Sequence, residues 1–390
     1  MTDSFNDDIS KNKQSKSVLM IDNFLPGARY TAELCDELCK RVNLTLLAKD
    51  NCEVDAASVS YRLIPALYGK KTASKIKNIS AFLRGLFITR REILSKKYNV
   101  IHVQLFKSEK IEMPLVEKWA NRAKLPVVYT VHNIDPHESD PKGHDCRQRW
   151  YKACSGLITH NQTSLDVLNE RYDVDGIPCK VIVPGLYPYI LKVDKAAPIK
   201  REKGATNFLA FGMIRRYKGT DILIKALSCL DAETRKHVRV IVAGKQYQNQ
   251  LDIDFEKMAK DLGVDDIVEF RLRRIPDEEV RSLYEWADFA MFPYRELYGT
   301  GALLMTYTLG TPIIASELPT FIEESDGGKT GILFETENEG SLAKAITAAT
   351  KTTEEERMQY RSAIEDLIER RYNWTLVANK TARFYEEVRG

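Results

Sequence analysis

Short β-branched runs alternate with helical periodicity along this chain, and the alternation runs, stops and runs again. Val18 to Asp22 is an apolar run bounded by polar residues, with a turn at Phe24 to Ala28 after it. Tyr30 to Arg41 carries Leu34, Leu38 and then Val42 at helical spacing. Asn43 to Leu47, Val100 to Gln104, Val127 to Val131, Leu157 to Thr159 and Lys180 to Val183 read as further strands, with a helix predicted over Pro114 to Ala123. Strands separated by helices need crossovers rather than hairpins, so the pattern predicts an α/β parallel sheet with helices on both faces. From Tyr187 to Ala205, Pro188, Pro198 and a lysine-rich stretch break the pattern and read as a linker. Strands then resume at 207–211, 238–243, 267–272, 289–292 and 312–315.

At 390 residues the chain exceeds what one core supports. The expected division is a polar, disordered leader at 1–17, one doubly wound domain at 18–190 and a second at 200–372. An amphipathic helix follows at 373–390 (Leu376, Val377, Phe384, Val388), long enough to cross back and brace one domain against the other. Two doubly wound units leave a ligand-binding cleft between them.

Net charge is only +3, which gives no argument for nucleic acid as a partner. Seven cysteines are scattered with no CxxC pair, which argues against a disulfide framework or a zinc ribbon and for a reducing compartment. Cys35 and Cys39 read as small buried hydrophobes. No apolar run is long enough to span a bilayer, and Met1 to Ser17 lacks the apolar core of a signal peptide, so a cytoplasmic location is expected.

The chemistry concentrates at Phe211 to Gly219: a strand, Gly212, then Arg215, Arg216, Lys218, Gly219 and a helix. A glycine turn before a helix lets backbone N–H groups approach oxygens closely, and the helix N-terminus favours negative charge. Arginine grips a phosphate with two parallel bonds, and lysine adds a mobile point charge. A second such turn, Tyr298 to Gly301, also opens a helix. Two anion-ready turns in one half of the chain point to a nucleotide-linked substrate.

Phe211 to Ala226 resembles the donor-site segment of retaining GT-B glycosyltransferases of family 4. So do Phe292 to Arg295, Thr300-Gly301, Gly310 to Ser316, Ile275 to Val280, Gly328 to Leu333 and Tyr372 to Trp374. The likeness covers nearly all of the C-terminal half. In the N-terminal half it rests mainly on Thr130 to Glu138. It implies two Rossmann-like domains facing each other and a hexosyltransferase that retains anomeric configuration, with a nucleotide-diphosphate sugar as donor (UDP favoured, GDP open). A glycan or polyprenyl-linked lipid would be the acceptor, in envelope or exopolysaccharide synthesis, with no metal and no cofactor. Arg215 and Lys218 would hold the diphosphate as catalytic residues, with Gly212 and the backbone of Thr300 and Gly301 beside them. Ile275 would border the base, Glu323 would meet the donor, and Gly27 would form the matching N-terminal turn. His132 would touch the donor sugar, with Asn133 and His137 as acceptor-side candidates. His102 is the weaker histidine because it lies within a strand.

The chain departs from the family pattern at four places. Leu297 and Met305 stand where relatives carry two glutamates, the second reaching the ribose. Met213 replaces an arginine, and Pro184 replaces a histidine. Leu297 and Met305 keep a catalytically silent binding subunit open as an alternative, beside a sugar-nucleotide epimerase on the same fold.

Residues 70–97 hold Lys70, Lys71, Lys75, Lys77, Arg84, Arg90, Arg91, Lys96 and Lys97 against one acid, Glu92. Ile76, Ile79, Leu83, Leu86 and Phe87 share one helical stripe. A basic amphipathic helix can lie in an anionic membrane surface, and a core-facing helix with a solvated basic side gives the same pattern. Peripheral attachment to the inner face of the plasma membrane is therefore one of two expectations.

Overall fold

The computed structural model describes residues 16–23, 29–52, 54–69, 74–134, 141–246, 253–297 and 301–389. Gly27, His137, Thr300, Lys70, Lys71 and nearly all of the leader lie outside them.

The chain divides into two compact units. One is Met1–Gly185 together with Arg371–Gly390, and the other is Leu186–Arg370. Each contains one parallel sheet, and the two sheets wind alike. In the first unit the strands are β1 (Ser17–Asp22), β2 (Asn43–Lys49), β3 (Arg62–Leu67), β4 (Val100–Leu105), β5 (Val127–Thr130), β6 (Gly156–Thr159) and β7 (Cys179–Val181). Their order is β3-β2-β1-β4-β5-β6-β7. In the second they are β8 (Thr206–Phe211), β9 (Val238–Ala243), β10 (Val268–Arg271), β11 (Phe289–Phe292), β12 (Ile313–Ser316) and β13 (Gly331–Phe334), ordered β10-β9-β8-β11-β12-β13. The winding reverses between β1 and β4 in one sheet and between β8 and β11 in the other. At such a switch point the two neighbouring crossovers leave in opposite directions and open a crevice at the carboxyl ends of the strands.

The central strands are buried on both faces, which is why they read as unbroken apolar runs. In the second unit Phe208, Val240, Val242, Phe289 and Ile314 pack against Leu223, Leu227 and Ile346 from flanking helices. In the first, Val18, Met20, Leu46, Val100 and Val128 pack with Leu34 and Leu38. The C-terminal helix Trp374–Glu387 joins that same core through Val377, Ala378 and Phe384. Cys35 and Cys39 are buried there, in no disulfide.

Two strands escape the sequence pattern. Edge strand β3 contains Pro65 and is mostly half-exposed, so it shows no apolar run. Strand β13, at an edge of the second sheet, is four residues long and opens on a glycine. The helix expected from Pro114 runs over Glu109–Ala123, with Pro114 inside it. Its first turn is closed by Glu112, whose carboxylate accepts the Ser108 N–H at 2.6 Å.

Candidate active site

In the second unit the switch point brings the glycine turn after β8 against the segment after β11. Gly219 has φ 66° and lies so close to that segment that a Cβ would fall 1.8 Å from the Pro293 carbonyl oxygen. Gly212 has φ 121°, and a Cβ there would lie 2.9 Å from Lys218 Nζ and 3.8 Å from the Ala302 methyl. The turn, the lysine and the first residues of the helix Gly301–Thr308 therefore meet at one point. Neither glycine can be replaced without displacing backbone or the ammonium group.

Lys218 closes a single 3₁₀ turn over Arg216–Lys218 that leads into the helix Thr220–Ser228. Its ammonium lies 5.1 Å from the centroid of the Tyr294 ring, a cation–π contact. Burial holds its pKa below the usual lysine range. Among the described residues no carboxylate pairs with it, so a half-buried cation has an aromatic face as its support. Arg215 is half-buried immediately before the 3₁₀ turn, and its carbonyl accepts the Lys218 N–H at 3.0 Å.

Arg295 fixes the turn from below. Its guanidinium donates to Asp221 at 2.6 and 2.9 Å, to Glu337 at 2.8 Å and to the Arg216 carbonyl at 2.8 Å, while its own N–H reaches the Tyr217 carbonyl at 2.7 Å. The segment Phe292 to Arg295 thus has two tasks: Tyr294 faces the half-buried Lys218 ammonium and Arg295 locks the loop that carries it. Leu297 and Met305 are buried apolar residues, and Glu296 is exposed. Glu323 is half-buried on the helix Pro319–Glu324, whose Thr320 hydroxyl donates to the Leu297 carbonyl at 3.0 Å. Ile275 is half-buried in the connection between β10 and the helix Asp277–Trp286.

The first unit gathers its polar groups differently. His102 on β4 is fully buried, with Nδ1 2.6 Å from the Tyr385 hydroxyl and Nε2 2.8 Å from the Thr130 hydroxyl. His132 follows β5, and its Nε2 lies 2.9 Å from Gln104 Oε1. Its Nδ1 lies 3.0 Å from His160 Nε2, and His160 Nδ1 lies 3.2 Å from the Ile182 carbonyl. Tyr30 packs on both rings at 5.2 Å, and Trp374 packs on Tyr30.

Donor and acceptor valence restricts where the protons sit. A carbonyl only accepts, so His160 donates through Nδ1. If His132 also donated through Nε2 to the Gln104 oxygen, a third proton would have to sit between the two rings, and the pair would be charged. Burial opposes that charge: it pushes His160 down to about 4, His102 down to about 3, and His132 well below its ordinary value. Gln104 turns its Oε1 to His132 and its Nε2 to His102 Nε2 at 3.2 Å, and the reversed amide would give neutral rings one directed chain from Gln104 through His132 and His160 to Ile182.

Both ring nitrogens of His132 are thus engaged within the unit, and a sugar hydroxyl would reach one only by displacing Gln104 or His160. Asn133 is exposed beside it. His160, Gln104 and Tyr385 were missed in the sequence. His160 carried a usable signal, since it directly follows a strand just as His132 does.

The glycosyl transferases group 1 family model matches residues 205–351, and the glycosyltransferase family 4 model matches residues 27–188. The chain is 27% identical over 334 residues to a D-inositol 3-phosphate glycosyltransferase of Corynebacterium glutamicum, covering 79% of this chain and 77% of that protein. It is 26% identical to the enzyme of the same name from Corynebacterium kroppenstedtii, over 74% and 67% of the two chains. Among solved structures, Anabaena HepE in complex with UDP superposes with a TM-score of 0.70 at 15% identity, covering 95% of this chain and all of that one. Sucrose-phosphate synthase from Thermosynechococcus elongatus gives 0.68 at 15% identity, covering 96% and 99%. Two parallel Rossmann-like sheets, their switch points, and family matches to both halves lead to one conclusion: this chain belongs to the family 4 glycosyltransferases of GT-B fold.

Proposed function

We propose that the protein is a retaining glycosyltransferase that moves a hexose from a nucleotide-diphosphate donor, with UDP favoured over GDP, to a glycan or lipid-linked acceptor. The observation that carries this reading is the partly desolvated Lys218 ammonium, held on Tyr294 beside Gly212 and the start of the Gly301–Thr308 helix. A half-buried cation without a carboxylate partner among the described residues is a site that an anion completes. The UDP and UDP-glucose complexes of Anabaena HepE support a uridine donor, and the name shared by the curated relatives supports a phosphorylated or polar acceptor.

In this reading Lys218 and Arg215 stabilise the charge that builds on the diphosphate as the glycosidic C–O bond breaks. The acceptor hydroxyl oxygen bonds to the anomeric carbon on the same face, and its proton passes to the departing phosphate oxygen. The products are a glycoside and a nucleoside diphosphate. No metal is called for in this scheme, because side-chain cations and backbone N–H groups meet the charge. Thr300, Gly27 and His137 keep their proposed donor-side and acceptor-side roles, as do Glu323, Ile275 and Asn133. The domain division at 18–190 and 200–372 stays a proposal of function, with donor recognition in the second part. An envelope or exopolysaccharide product and a peripheral place at the inner membrane face complete the proposal.

A silent binding subunit is the second reading, favoured by the buried, apolar Leu297 and Met305 where a ribose-binding carboxylate would stand. Incubation with UDP-glucose, UDP-N-acetylglucosamine and GDP-mannose separates the cases. Nucleoside diphosphate release that rises with added acceptor supports transfer. An epimerised donor would select the epimerase, and donor binding without turnover would select the silent subunit.

A further inference from the structure

The helix Lys75–Ile93 leaves its apolar stripe uncovered. Ile76, Ile79, Leu83 and Phe87 are 81%, 60%, 57% and 61% exposed. At 100° per residue their positions span about 80° of the helix circumference. The buried residues Gly85, Thr89, Glu92 and Ile93 occupy the opposite side. That side packs on β3, where a Cβ on Gly85 would lie only 3.4 Å from the Ala66 carbonyl. Four of the five stripe residues thus face away from the sheet and Leu86 is half-buried, so the core-facing expectation for the stripe is overturned for Ile76, Ile79, Leu83 and Phe87.

The charge around the stripe has one sign. Lys75, Lys77, Arg84, Arg90 and Arg91 are all exposed. On a helical projection Lys77, Arg84 and Arg91 form a row along one flank, with Arg90 beside the apolar residues and Lys75 on the other flank. Glu92 is the helix's one carboxylate. It is 2% exposed, accepting from Arg62 at 3.1 Å, Arg91 at 3.0 Å and the Tyr98 hydroxyl at 2.8 Å. The exposed face therefore offers four large apolar side chains and five cations, with no acid among them.

We infer that this face of the Lys75–Ile93 helix docks the protein on an anionic lipid bilayer, with Ile76, Ile79, Leu83 and Phe87 entering the acyl boundary and the flanking cations meeting headgroup phosphates. Long basic side chains reach back to the headgroups while the apolar residues beneath them are buried. The geometry holds the helix axis parallel to the membrane, because the stripe extends about 17 Å along it. A second copy of the same face is a poor occupant, since it would oppose like charges. Among the described residues no helix is long and apolar enough to cross a membrane, so attachment here is by surface contact. The inference rests on the proposed function only in its motive, a lipid-linked acceptor. The surface itself is independent of the donor site.

Sedimentation of the full chain with vesicles tests it. The protein should pellet with vesicles of phosphatidylcholine containing roughly a third phosphatidylglycerol and stay in solution with phosphatidylcholine alone, and high salt should weaken the binding. The double variant Ile79→Asp/Phe87→Asp should lose about tenfold or more in vesicle affinity, and Lys77→Glu/Arg84→Glu should do the same. All four side chains are exposed, so both variants should keep the circular-dichroism melt and UDP affinity of the parent. Equal pelleting with both vesicle types, no pelleting, or unchanged binding by the Asp variant would overturn the inference. A concentration-dependent dimer abolished by Ile79→Asp/Phe87→Asp would also overturn it. Loss of vesicle binding with donor turnover intact in the parent would leave the transferase reading standing. Vesicle binding by a protein that turns over no donor would remove only the transferase reading.

Discussion

The two units share a strand order yet assemble their polar centres by opposite routes. In the second, Gly212, Arg215, Lys218 and Gly219 lie in one loop after β8, and a short partner segment after β11 clamps them. In the first, His102, Gln104, His132, His160, Ile182 and Tyr385 arrive from four strand ends and the C-terminal helix. The loop site carries a cation in reserve. The strand-end site uses its groups on one another and stays neutral. A centre built from one loop can present charge to a ligand, whereas a centre woven through a sheet is bound into the fold.

Four measurements test that contrast. The largest effect belongs to the loop: Lys218→Ala should lower transfer turnover by about 10²–10³-fold with an unchanged unfolding midpoint. Turnover within a factor of a few would end the distinction between a presented cation and a structural one. Next comes pH. The buried imidazoles titrate below their unfolded value of 6.5, so the unfolded chain takes up protons first as pH falls. Stability should therefore be fully present above about 6.5 and decline towards pH 4, by up to about 1.4 kcal/mol per pH unit for each histidine. Urea titrations of the parent and His160→Asn should show a shallower decline in the variant, and identical slopes would mean that the pair is not held neutral. Tyr385→Phe removes the hydroxyl beside His102 Nδ1 and should cost about 1–2 kcal/mol without altering UDP affinity. A fall in UDP affinity equal to that for Lys218→Ala would merge the two centres. Smallest is Asp221→Asn. It loosens the Arg295 clamp and should cost about 0.5–1 kcal/mol while weakening UDP binding a few-fold, read by the same titrations.

Sequence and structure part company along the same line. Gly212 to Gly219 was legible because its signals are neighbours in the chain, and φ values of 121° and 66° make both glycines necessary. The α/β order was legible because buried parallel strands are continuous apolar runs. His160 and Gln104 were not, since what joins them to His132 is the β4-β5-β6 neighbour relation and no spacing along the chain records it. Tyr385 lies 283 residues from its partner His102. The Ile76 to Phe87 stripe shows a further limit. Periodicity finds the stripe, but Gly85 and Thr89 on the other side decide which face the sheet accepts. The C-terminal helix Trp374–Glu387 has the same kind of pattern and buries Val377, Phe384 and Tyr385 instead.

Calorimetric titration of UDP into the protein in the presence of a chelator, with Lys218→Ala beside the parent, bears most directly on the claim that the second unit grips a diphosphate with its own cations and amides. The account predicts binding by the parent without divalent metal and a loss of about tenfold or more in the folded variant. Equal affinity in the two proteins, or no UDP binding by the folded parent, would contradict it.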